Sequence, residues 1–145
     1  MTLNSIVKVM GGEENIGRDI HSPLDFIKAS REGVVSIAVI RSIQGIIHLT
    51  NKRMSRILDV SESTLQRQLK EGRQLNKSES ETAFDVSKVI AKGMEVFEDE
   101  DDFNRWLDTE NQALGNEKPI DLLDSSIGRE QLIHVLNAVE HGIYS

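Results

Sequence analysis

The fold of this chain turns on Thr50-Asn-Lys-Arg-Met-Ser-Arg-Ile-Leu-Asp-Val-Ser-Glu-Ser-Thr-Leu-Gln-Arg-Gln-Leu-Lys-Glu-Gly72. Thr50 and Ser61 are good N-cap residues, and each precedes a run with helical apolar spacing. The stretch therefore reads as two short helices separated only by Asp59-Val60-Ser61. So short a turn makes the helices cross steeply, and Met54, Ile57, Leu58, Val60, Leu65 and Leu69 fill the angle between them, with small Ser55 at the close approach. Asp59 occupies the turn position that favours positive φ, where glycine is common and aspartate is tolerated at some cost. The pattern is a helix-turn-helix.

On the second helix, Ser61, Ser63, Thr64, Gln66, Arg67 and Lys70 carry the groups that hydrogen-bond to base edges and phosphates. Arg67 suits a bidentate contact to guanine and Gln66 one to adenine, each worth ~1–3 kcal/mol of discrimination. Arg53, Arg56 and Arg73 suit phosphate oxygens. The implied partner is double-stranded operator DNA, and reading two half-sites about one turn apart calls for a homodimer. A basic helical hairpin that never meets DNA would show the same pattern.

Charge is distributed unevenly around this segment. The chain of 145 residues has a net charge of -7, which taken alone argues against nucleic acid. Yet Lys52, Arg53, Arg56, Arg67, Lys70, Arg73 and Lys77 outweigh Asp59, Glu62 and Glu71, while residues 95–130 hold twelve acids against Arg105, Lys118 and Arg129. One phosphate-facing surface and a separate surface for a protein partner explain the split. With no cysteine, disulfides, thiolate-zinc sites and cysteine nucleophiles are excluded. His134 and His141 stand two helical turns apart with no third ligand, so no metal is expected. Nor is any cofactor. The sequence offers no glycine-rich phosphate loop, activated nucleophile or paired carboxylates, and catalysis is not expected. The absence of a long apolar run and of a signal peptide points to a cytoplasmic protein with no membrane partner.

Along the chain, an all-α fold is expected as one body with a flexible N-terminal arm (residues 1–21), a helix-turn-helix unit (22–77) and a helical C-terminal unit (78–145). Gly11-Gly12 and mixed charge mark the arm. Ser22-Pro23-Leu24-Asp25 opens a helix that Gly33 closes. Residues 34–49 are rich in valine and isoleucine, but Arg41, Gln44, Gly45 and His48 fall on one helical stripe, which makes the segment a buried helix. Its apolar excess also makes it the candidate dimer surface. Further helices are expected over residues 78–97, capped by Ser78 and Glu81, over 99–109 with acids at its start, and over 125–140. Phe103, Trp106 and Leu107 face inward on the second of these, and a brief turn spans residues 120–123.

Five segments in order carry a family resemblance. They are Leu58-Asp-Val-Ser-Glu-Ser-Thr-Leu-Gln-Arg67, Phe97-Glu-Asp-Glu-Asp-Asp-Phe-Asn-Arg-Trp-Leu107, Asn111-Gln-Ala-Leu-Gly115, Pro119-Ile-Asp-Leu-Leu-Asp124 and Val139-Glu-His-Gly-Ile-Tyr-Ser145. From about Gly33 onward the chain resembles the Xre/MbcA/ParS-type antitoxins, departing mainly at Gly115-Asn-Glu-Lys, where another glycine is usual. The resemblance implies a RES-domain toxin partner that consumes NAD or transfers its ADP-ribose, covered at its active site by the antitoxin's C-terminal region. It also implies repression of the pair's own promoter, within a larger toxin-antitoxin complex. Trp106, Glu140, His141, Gly142, Ile143, Tyr144 and Ser145 are then the toxin-binding set, with Ile143, Tyr144 and the Ser145 carboxylate forming a short amphipathic plug. A regulator with a helix-turn-helix and no toxin is the alternative; a neighbouring gene for a RES-type protein separates the two.

Overall fold

A computed structural model describes residues 1–142. Among them there are nine α-helices, two short 3-10 helices and no strand. The helices are α1 (Leu3–Val9), α2 (Glu13–Ile16), α3 (Pro23–Glu32), α4 (Ala38–Ile47), α5 (Asn51–Leu58), α6 (Glu62–Glu71), α7 (Lys77–Phe97), α8 (Glu100–Leu107) and α9 (Ser126–Glu140). The 3-10 helices Gln112–Leu114 and Pro119–Leu122 connect α8 to α9.

Helix α7 is the spine. It packs against α1, α3, α4, α5, α8 and α9, so both halves of the chain share one core. Ala83, Val86, Val89, Ile90 and Ala91 are buried along it. Its cap lies two residues earlier than the Ser78 and Glu81 pair expected. Asn76 Oδ1 accepts the Glu79 N–H at 2.8 Å, and Glu79 Oε1 accepts the Asn76 N–H at 2.9 Å. The start is fixed by tertiary pairing: the Leu75 N–H donates to the Val35 carbonyl at 2.8 Å, and Leu75 is buried. The same pairing shortens the helix expected over 34–49. Residues 34–37 precede α4, and Ser36 bridges antiparallel to Gln74, an extended geometry that β-branched Val34 and Val35 favour.

Residues 1–21 are not an arm. They form α1 and α2, and Ile6, Val7, Val9, Met10, Ile16 and Ile20 are buried in the common core. Thr2 and Ser5 make a capping box for α1, which docks on α7 and α4. Gly11 and Gly12 signalled looseness in sequence, but they make the sharp corner between α1 and α2, with φ of 96° and 98° that side chains rarely adopt. Helix α4 is likewise consumed internally: Val39, Ile40, Ile43 and Ile47 are fully or almost fully buried, which removes it as an exposed apolar dimer face. Gln44 leaves the polar stripe assigned to it. It is buried and donates to the Leu49 carbonyl at 3.2 Å and to Asn51 Oδ1 at 2.8 Å, holding the entry to α5.

Helix α3 has the ends expected, with Pro23 at its start and left-handed Gly33 after its last residue. Asp25 accepts the His21 N–H at 2.9 Å and the Ser22 N–H at 3.2 Å. These two amides, with the Arg18 guanidinium at 3.7 Å, hold its carboxyl below the ordinary value against partial desolvation. Phe26 stacks on Phe84 at 4.3 Å to join α3 to α7. At the other end, α9 is pinned by buried Arg129, whose guanidinium reaches Asp85 on α7 at 2.6 Å and the Leu123 carbonyl at 2.7 Å. Among the described residues no helix is long and apolar enough to cross a membrane.

Candidate nucleic-acid interface and C-terminal surface

Helices α5 and α6 form the steep pair read from the sequence. Thr50 Oγ1 accepts the Arg53 N–H at 3.2 Å, and Ser61 Oγ accepts the Thr64 N–H at 3.1 Å. Asp59 takes the left-handed conformation, φ 57° and ψ 46°, that the turn demands. Met54, Ile57, Leu58 and Leu65 are buried in the angle, while Val60 and Leu69 are half-buried against it. Ser55 is buried, its hydroxyl donating to the Lys52 carbonyl at 2.7 Å. One support was missed in sequence: buried Gln68 donates to Glu79 at 3.4 Å, tying α6 to the cap of the spine. A glutamine on the inner helix face followed by a capping-box glutamate was the only available signal.

The outer face of α6 is a single polar stripe. Ser63, Gln66, Arg67 and Lys70 are all exposed, and their spacing of three, four and seven residues puts them on one side of the helix. Arg73 is exposed just beyond Gly72, and Arg56 is exposed on α5. Among the described residues no carboxylate bridges Arg56, Arg67, Lys70 or Arg73. Two members of the expected set have local duties. Ser61 is the cap, its hydroxyl also meeting Thr64 Oγ1 at 2.7 Å and Ser63 Oγ at 3.2 Å, and Thr64 is half-buried. Arg53 differs most: its guanidinium lies 2.6 Å from Asp121 in the connecting segment of the other half.

At the C-terminal side, Trp106 is half-buried in a layer with Phe97 and Phe103, at ring separations of 5.7 and 6.2 Å. Its first role is packing. Glu140 Oε1 lies 2.9 Å from the ammonium of Lys92, a residue only 7% exposed, so Glu140 supplies the counter-charge of a buried cation. The neighbouring Glu95 carboxylate is held below its ordinary value by the Met1 ammonium hydrogen-bonded to it and then by Lys92. His141 and Gly142 are exposed where α9 ends. Ile143, Tyr144 and Ser145, the expected plug, lie outside the described residues. Among the described residues no three histidines or carboxylates are grouped to hold a metal ion.

Comparison with known proteins matches both halves. Residues 25–85 fit the antitoxin Xre-like helix-turn-helix domain, and residues 92–142 fit the antitoxin Xre/MbcA/ParS C-terminal toxin-binding domain. A curated relative, "Prs ADP-ribosylating antitoxin" of Sphingobium sp. (strain YBL2), is 24% identical over 133 residues, covering 86% of this chain and 83% of its own. The fold resembles a chain in the crystal structure of the M. tuberculosis MbcT-MbcA toxin-antitoxin complex, with TM-score 0.52 and 22% identity over 70% of this chain and 90% of that one. The two domain matches follow the order of the helices and together span more than half of the residues, and on that basis the chain belongs to the Xre/MbcA/ParS antitoxin family.

Proposed function

We propose that this antitoxin has two activities on one rigid body: it binds the operator of its own operon through α6, and it neutralises a RES-domain toxin through the C-terminal half. The observation that carries the first is the unpaired stripe Ser63, Gln66, Arg67 and Lys70 on a helix whose opposite face is fixed by Leu65 and Gln68. Such a helix enters a major groove without rearrangement. Arg67 and Gln66 read bases, while Arg56 and Arg73 hold phosphates. Two copies reading two half-sites form the DNA-bound species. Electrophoretic mobility shifts on the upstream promoter test this: replacing both Arg67 and Gln66 by alanine abolishes preference for the promoter over a scrambled duplex. Retained preference refutes the assignment.

For the second activity, support comes from the C-terminal domain match and from the acidic surface around α8, which suits attraction to a basic partner. The relative's description names ADP-ribosylation, which favours a toxin that transfers ADP-ribose from NAD. The sequence Glu140 to Ser145 covers that toxin's cleft, with Ile143 and Tyr144 inserted and His141 and Gly142 forming the exit from α9. Co-expression with the neighbouring toxin gene, read as growth, tests it. The full chain restores growth, and deletion of residues 143–145 removes protection while leaving promoter binding intact. Protection by the truncated chain would refute the plug.

A further inference from the structure

The DNA-facing arginines are free of carboxylate partners among the described residues except Arg53, and its partner is supplied from a distance. Arg53 lies in the first turn of α5, the helix that crosses the phosphate backbone in this kind of pair. Asp121, 68 positions away in the 3-10 helix Pro119–Leu122, meets its guanidinium at 2.6 Å. Around the pair is a recess of about 320 Å³ lined by Arg53, Arg56, Glu117, Asp121 and Asp124. Three carboxylates thus share one recess with two of the arginines expected to hold phosphates. Both members of the ion pair keep about two-fifths of their side-chain surface in solvent, 39% and 41%. Exposed pairs of this kind are weak and salt-screened, so a phosphate can displace the carboxylate. The fold does not need the contact for its core; Pro119 and Leu123 anchor this segment by burial on their own.

We infer that Asp121 is an intramolecular competitor for DNA phosphate, a latch that occupies Arg53 and lowers the affinity of the helix-turn-helix for any duplex. This rests on the DNA-reading role proposed for α6. An aspartate carboxylate presents the same hydrogen-bonding oxygens as a phosphate, and Glu117 and Asp124 add negative potential beside it. Because Arg53 contacts no base, the effect is on backbone affinity and leaves sequence preference unchanged.

The test measures binding of the full chain to the upstream promoter and to an unrelated duplex by fluorescence anisotropy across a salt series. Wild type, Asp121→Asn, Arg53→Gln and the double variant are compared, with circular dichroism confirming that each is folded. An exposed ion pair withholds at most ~1 kcal/mol, which is about fivefold in affinity, and salt screens that hold. Asp121→Asn therefore binds both duplexes up to about fivefold more tightly at low salt, the gain shrinks as salt rises so that the salt slope steepens, and it vanishes in the Arg53→Gln background. Unchanged slope and affinity in Asp121→Asn, with wild type binding normally, overturn the latch. An equal gain with and without Arg53 also overturns it, since general charge relief then suffices. If wild type binds neither duplex at any salt, the DNA-reading role fails first and the latch with it.

Discussion

Gly93 and Gly45 offer the same substitution with opposite predicted signs. Replacing glycine by alanine within a helix gains up to ~1 kcal/mol from backbone entropy. At Gly45, exposed on α4, an added Cβ meets nothing within 4 Å, so Gly45→Ala should realise most of that gain. At Gly93 on α7 the Cβ would stand 2.1 Å from Phe103 Cε1 and 2.2 Å from Cζ. Comfortable carbon contacts begin near ~3.5 Å, so the ring has to retreat by about 1.4 Å. Phe103 cannot do so freely, being fully buried with Phe97 at 5.9 Å and Trp106 at 6.2 Å. Overpacking of this kind costs ~1–3 kcal/mol, which offsets or exceeds the propensity gain and leaves Gly93→Ala up to ~2 kcal/mol less stable than wild type. Urea unfolding followed by circular dichroism reads both as shifts of the midpoint at constant slope. Adding Phe103→Leu to Gly93→Ala should recover ~1 kcal/mol relative to the sum of the single changes. Equal stabilisation by the two glycine replacements would show that α8 does not seat its phenylalanine against α7, and the placement of Trp106 would fall with it.

Two further outcomes follow from the buried and capping charges. Arg129→Met removes charged hydrogen bonds to Asp85 and to the Leu123 carbonyl and should cost ~2–3 kcal/mol in the same urea assay, loosening α9 from α7. Asp25 is held low in the folded state, so the stability it contributes is complete above the ordinary carboxylate pKa and disappears as pH falls through its folded value. Asp25→Asn should therefore lower the melting temperature at neutral pH and flatten its acid dependence below about pH 4; a wild-type acid slope in the variant would deny the carboxylate its capping role.

Local chemistry was easiest to read. The caps Thr50 and Ser61, the three-residue turn and the apolar positions specify α5 and α6 within a single window, and Asp59 takes the backbone conformation assigned to it. The ends of α3 were equally plain. Errors arose where a long-range contact outweighed a local signal. Two glycines suggested looseness in residues 1–21, yet six apolar residues there are buried in the common core, with α1 packed on α7 and α4. Ser78 and Glu81 have capping spacing, but the Leu75 to Val35 bond starts α7 earlier, at a capping box of equal quality. In the candidate site, the stripe from Ser63 to Lys70 was legible because helix spacing alone creates it. The occupation of Arg53 was not legible, since nothing within 60 residues of it hints at Asp121.

What the amino-acid order determined unaided is the helical class, the helix-turn-helix, the opposed charges of the two halves and the family to which the chain belongs. The first three depend on spacings of three and four residues or on composition, quantities complete within a short window, and the family resemblance rests on five motifs in order, each of them read locally. Only the tertiary structure decided that residues 1–21 join the core, that α7 serves both halves, that Glu140 answers buried Lys92 and that Asp121 sits on Arg53. Each of those is a meeting of groups far apart in the chain, fixed by which apolar faces bury one another and by where that packing leaves the charges.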